Sequence, residues 1–170
     1  MKKTIFTAAI ILLLFSGSSY AQLKIGYVDT DAILKDLPDA QDVRSQLDQL
    51  ISEWQGDLNR MQNELKSKYD DYEKRKLIMS DQTRAEVEEE LTKLEKEIIA
   101  FREKKFGTSG ELFQKQEELM KPIHNKLFNV IQDVAKQENL DFVLDRSGGV
   151  LILFAKEEYD VTAKVIEKMK

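Results

Sequence analysis

The chain has no cysteine in 170 residues, which excludes disulfides and thiolate metal ligands and leaves packing or association as the sources of stability. Its single histidine, His124, has no second imidazole with which to share a metal. Prolines number two and glycines seven, a composition that suits long helices. Cations are outnumbered, 26 basic against 31 acidic side chains, so there is no broad basic face for phosphate backbones and nucleic acid is excluded as a partner. No Ser/His/Asp or Cys/His constellation can be assembled, and the chain does not read as an enzyme. Past the N-terminus, no apolar run is long enough to cross a bilayer.

What is present begins with a leader. Lys2 and Lys3 precede an apolar run of 11 residues, Ile5 to Phe15, and Ser19-Tyr20-Ala21 offers small residues at −3 and −1. Residues 1–21 are expected to be a secretory signal peptide cleaved after Ala21, and with no cysteine behind the run the mature N-terminus carries no lipid. The exported chain, 22–170, then holds 24 basic and 31 acidic side chains, a net charge of −7.

From Val43 the apolar positions run Val43, Leu47, Leu50, Trp54, Leu58, Met61, Leu65, Tyr69 and Tyr72, which is 29 residues in 8 steps, or 3.6 per step. That is one stripe on a nearly straight α-helix, and it needs a partner along its length. Ser80 and Asp81 read as an N-cap and a first-turn carboxylate for the partner. Its stripe is Val87, Leu91, Leu94, Ile98 and Phe101, then Leu112, Leu119, Ile123, Leu127, Val130 and Val134. Residues 39–139 are therefore expected to form a long antiparallel helical hairpin, an arm on the order of 55 Å long at about 1.5 Å per residue.

The remainder, 22–38 and 140–170, reads as a small β-rich body. Leu23 to Val28 is a strand, with Asp29 and Thr30 capping a brief helix that Pro38 stops. Leu140 to Asp145 alternates like a half-buried strand, Ser147-Gly148-Gly149 is a turn, and Val150 to Phe154 is an unbroken apolar strand. Asp160 caps a last helix bearing Val161, Val165, Ile166 and Met169. Five apolar residues in a row need cover on both faces, which so small a body cannot give. The fold class is α+β, and an obligate oligomer is expected, its contacts supplied by Ile25, Tyr27, Val28, Leu151, Leu153 and Phe154.

The leader, the strand Lys24-Ile25-Gly26-Tyr27-Val28-Asp29, the charged hairpin, Phe142-Val143-Leu144-Asp145 and the closing Asp160-Val161-Thr162-Ala163-Lys164-Val165, in that order, resemble the Skp (OmpH-like) family of periplasmic chaperones across the mature chain. The resemblance implies a jellyfish-like trimer with a shared β body and three arms enclosing unfolded outer-membrane β-barrel proteins in the periplasm, with no ATP and no cofactor. In one respect the chain departs from the basic members of that family. Residues 66–105 carry 11 basic and 11 acidic side chains, and residues 22–60 carry 4 against 8. Membrane or lipopolysaccharide contact, which needs a cationic surface, is therefore not expected.

Beside the seam of the returning helix lie Ile99, Phe106, Phe113 and Met120, spaced by sevens. They are either a client-facing wall or a widening of the hairpin's own apolar face. Leu77, Ile78 and Met79 exceed what a turn needs and could grip a client or cap the hairpin. Gly107 and Gly110 interrupt a helical pattern, each costing about 1 kcal/mol relative to Ala in a helix interior, and Gly56 falls at nearly the same height. Together they suggest a hinge, or else a break with a fixed kink. Pro122 is expected to kink the helix where arm meets body. Asp29 and Asp31 form an Asp-x-Asp that could hold a metal, but without further ligands helix capping explains them, and no metal site is expected. The alternative reading is an exported structural or adaptor coiled coil that binds one folded envelope partner; a metal-dependent envelope enzyme is the weaker third.

Overall fold

The computed structural model describes residues 23–149 and 151–170; the leader lies outside the described residues. Strand β1 (Ile25–Val28) is followed by helices α1 (Thr30–Asp36), α2 (Pro38–Arg75), α3 (Asp81–Phe106) and α4 (Glu111–Gln137), then β2 (Phe142–Asp145), a 3-10 turn (Glu157–Tyr159) and α5 (Thr162–Met169). The strands pair in parallel, Ile25 opposite Phe142 and Val28 opposite Asp145. Parallel neighbours cannot be joined by a tight turn and need a long crossover. Here the hairpin is that crossover, which is why the arm is tied to the body at both ends.

Local chemistry sets the boundaries. The Asp29 carboxylate accepts from the Ala32 N–H at 2.9 Å and caps α1, the role expected of it. Leu37 ends α1 and precedes α2, with Pro38 in the first turn, where its missing N–H costs nothing. Pro38 thus both stops the short helix and opens the long one. Ser80 Oγ accepts from the Thr83 N–H at 3.2 Å and caps α3. At the end of α4, Asn139 takes a left-handed conformation with φ 52°. The Leu140 N–H reaches Ala135 O at 2.9 Å and the Asn139 N–H reaches Lys136 O at 3.3 Å, a Schellman ending that turns the chain into β2.

One face of the sheet, carrying Val28 and Val143, packs on α1, α5 and the base of the hairpin. Ile33, Val134 and Val165 at the centre are almost wholly buried, with Ala40, Val43 and Leu127 around them. The base of the arm, through Val43 and again from Ile123, therefore shares the core of the body. So few body residues can bury their apolar surface only against the hairpin.

The expected strand at Val150 to Phe154 is corrected by the structure: the described part, residues 151–154, forms no strand within the chain. β1 is flanked by β2 on one edge and by a single bridge between Tyr27 and Asp160 on the other, and among the described residues the far edge of β2 takes no third strand. Leu151, Leu153 and Phe154 are left 83, 88 and 84 % exposed. Of the residues expected at a contact between chains, Val28 is instead buried in the core of its own chain, whereas Tyr27, largely covered, lies on the outer side of the sheet. The outer face of the sheet stays open, a groove of about 380 Å³ lined by Ile25, Tyr27, Leu144, Ile152, Phe154 and Tyr159.

A polar staple closes the other end of the sheet. Asp145 accepts from Thr30 Oγ1 at 2.6 Å, from the Ser147 N–H at 3.0 Å and from Ser147 Oγ at 2.8 Å. Burial pushes this carboxyl up, but the Thr30 and Ser147 hydrogen bonds outweigh it and hold the group below its ordinary value. A carboxylate with a depressed folded-state pKa stabilises the fold above its unfolded value, and that contribution is lost as pH falls through the folded one. Asp145→Asn is expected to lower stability by about 1–3 kcal/mol at neutral pH and to flatten the loss of stability below about pH 4, measured by urea unfolding across pH.

Candidate functional site

Along the arm, the outgoing helix α2 packs first on α4 and then on α3. Trp54, Leu58 and Tyr72 from α2 and Leu91 and Ile98 from α3 are buried in the seam, in line with the stripe. Two polar contacts fasten its outer half. Lys68 Nζ lies 2.7 Å from Glu90, which lowers the pKa of the carboxyl and raises that of the amine through their hydrogen bond, and the Tyr72 hydroxyl donates to Glu88. Tyr69, also part of the stripe, is half exposed and tilts against Tyr72.

Four residues, 107–110, separate α3 from α4. The Gly107 N–H caps Glu103 O at 2.9 Å and the Gly110 N–H bonds Gly107 O at 2.8 Å. A Cβ on Gly107 would fall 2.4 Å from Glu103 O, and one on Gly110 2.9 Å from Gly107 N, so both positions require glycine. Gly56 differs: α2 runs through it without interruption, and a Cβ there meets nothing within 4 Å. The hairpin is broken on its returning side alone, and the structure corrects the picture of two helices loosened at one height. Gly56→Ala is expected to raise thermal stability by up to about 1 kcal/mol, whereas Gly107→Ala lowers it, as calorimetry of the two variants would show.

The line of sevens is divided. Ile99 and Phe113 are 64 and 50 % exposed. Phe106 turns inward, its ring edge-on to Trp54 with centroids 6.0 Å apart. Met120 is half-buried against the body core. The next member of the line, Leu127, lies where α4 enters the body and is fully buried in its core. Phe128, 59 % exposed, continues the outer surface in its place. Sequence periodicity missed it; the signal was the i+4 ladder from Met120 through His124 to Phe128. At the tip, Leu77 and Ile78 stand in solvent and Met79 is half-covered.

Among the described residues no group of three or more acidic, histidine or cysteine side chains could hold a metal, and no helix is long and apolar enough to cross a membrane.

The family model of outer membrane proteins, OmpH-like, matches residues 24–169. The chain belongs to the OmpH-like family. Its relatives include the chaperone protein Skp of Photorhabdus luminescens, 30 % identical over 176 residues, and the chaperone protein Skp of Yersinia enterocolitica, 26 % identical over 175 residues; both alignments cover 100 % of each chain. A solved OmpH-like structure from Caulobacter crescentus CB15 superposes with a TM-score of 0.71 at 14 % identity, covering 91 % of this chain and 89 % of that one, and shares the fold. The OmpH-like architecture is thus the one built here, a small sheet with a long helical hairpin as its crossover.

Proposed function

We propose that the protein is an ATP-independent periplasmic holdase that binds unfolded outer-membrane β-barrel proteins between helical arms and keeps them from aggregating. The observation that carries this reading is the set of large apolar side chains, Ile99, Phe113 and Phe128, held exposed on the hairpin in a chain whose full-length relatives bear the name of a chaperone. A folded chain gains nothing by leaving such residues uncovered, whereas an unfolded client can bury them without any single geometry. Many weak contacts retain a precursor while its strand edges are kept from other precursors, and release follows when folding elsewhere is more favourable. The exposed Leu151, Leu153 and Phe154 and the open outer face of the sheet support a shared body, with three chains the count that the family resemblance implies. No cofactor enters this mechanism, and it needs no catalytic group. The neutral outer arm fits an apolar grip better than a charged one.

The test is to dilute a urea-unfolded outer-membrane β-barrel protein, without ATP, into the mature protein and to follow light scattering. Suppression of aggregation at a small molar excess of chains is expected. Aggregation as fast as in buffer would refute the reading.

A further inference from the structure

We propose that the Lys105–Glu111 ion pair, backed by the indole of Trp54, is an electrostatic latch that keeps the two halves of the returning helix aligned across the break and limits how far the arm bends. This rests on the holdase reading only for its purpose; the latch is a statement about the arm itself. At this height α2 is continuous and the returning side is not, so the stiffness of the hairpin depends on what spans residues 107–110. Apart from the glycine turn, the bridge is made by side chains. Glu111, the first residue of α4, bonds Lys105 near the end of α3 and lies 3.5 Å from Lys104. The ammonium of Lys105 also sits 4.4 Å from the centroid of the Trp54 ring, and Phe106 meets the same ring edge-on. A single lysine therefore ties together α2, α3 and α4.

The pair is sheltered, with Lys105 18 % and Glu111 34 % exposed, which sets it apart from the open i,i+3 and i,i+4 pairs elsewhere on the arm. Sheltered charges attract more strongly than solvated ones, and a cation over a tryptophan face adds to the hold. The Lys105 hydrogen bond outweighs desolvation and lowers the pKa of Glu111, so this carboxylate is ionised at neutral pH. The other charged groups lining this part of α4, Lys115 and Glu118, pair with each other at 2.7 Å and leave Glu111 to the lysines of α3.

Trp54 is the chain's one tryptophan, so its fluorescence reports this site alone. In Glu111→Gln, with far-UV circular dichroism confirming the fold, acrylamide quenching of Trp54 is expected to rise severalfold and small-angle scattering to show a broader spread of the arm. Lys105→Gln should do the same, and Lys115→Gln, which breaks only the neighbouring surface pair, should change neither. Trp54 as protected in both neutralised variants as in the wild type would overturn the latch, as would exposure of Trp54 with no change in scattering. The aggregation assay on Glu111→Gln separates the two ideas: continued suppression with an unmoved Trp54 removes the latch and leaves the holdase standing.

Discussion

Replacing Ile99, Phe113 and Phe128 together with serine is expected to abolish retention of an unfolded β-barrel precursor while leaving the fold of the protein unchanged. All three side chains are half or more exposed, so their loss removes little buried surface from the free chain. Covering half of such a side chain with a client is worth about 1 kcal/mol, so three lost contacts weaken binding by about 100-fold per chain. The matched control is Phe106→Ser, which removes the edge-on contact with Trp54 and should lower the melting temperature instead. Comparing complex dissociation with thermal unfolding for the two variants separates a client surface from hairpin core. If the triple variant retains precursor as well as the wild type does, the client lies elsewhere.

The second large effect is expected in assembly. Leu153→Asp with Phe154→Asp places two charges on a segment that is almost fully exposed in the single chain, so the chain's own core is untouched. In an oligomer that covers this segment, two unpaired carboxylates would be buried, at a cost of several kcal/mol each. Sedimentation should then show single chains with unchanged helix content. An unaltered sedimentation coefficient would mean that chains do not meet through this segment.

Much of the fold was legible in the sequence because its signals were local or periodic. The 3.6-residue stripe from Val43 to Tyr72 needed only a count, and the caps at Asp29 and Ser80 and the stop at Pro38 are chemistry of adjacent residues. What was hidden depended on where elements meet. An apolar run such as Val150 to Phe154 signals that cover is needed without saying whether the chain itself provides it. Tyr27 and Val28 look alike as strand residues, and only the sheet's position against α1 and α5 buries Val28 in the core. The line of sevens was legible as spacing, but which of its members are covered depends on what the returning helix meets at each height: Trp54 at Phe106 and the body core at Leu127. The glycines of the break were visible; the requirement for glycine at 107 and 110, and the tolerance at 56, are set by backbone approaches that spacing does not encode. No pattern along the sequence joins Trp54 to Lys105, since that contact exists only once the hairpin closes.

The most direct measurement is native mass spectrometry of the mature protein offered the same β-barrel protein in two forms, urea-unfolded and already folded in detergent. The account predicts one unfolded precursor held by a small, fixed number of chains, and no complex with the folded barrel. A complex with the folded barrel alone, or none with the unfolded precursor, would contradict it and point to an adaptor with one folded partner.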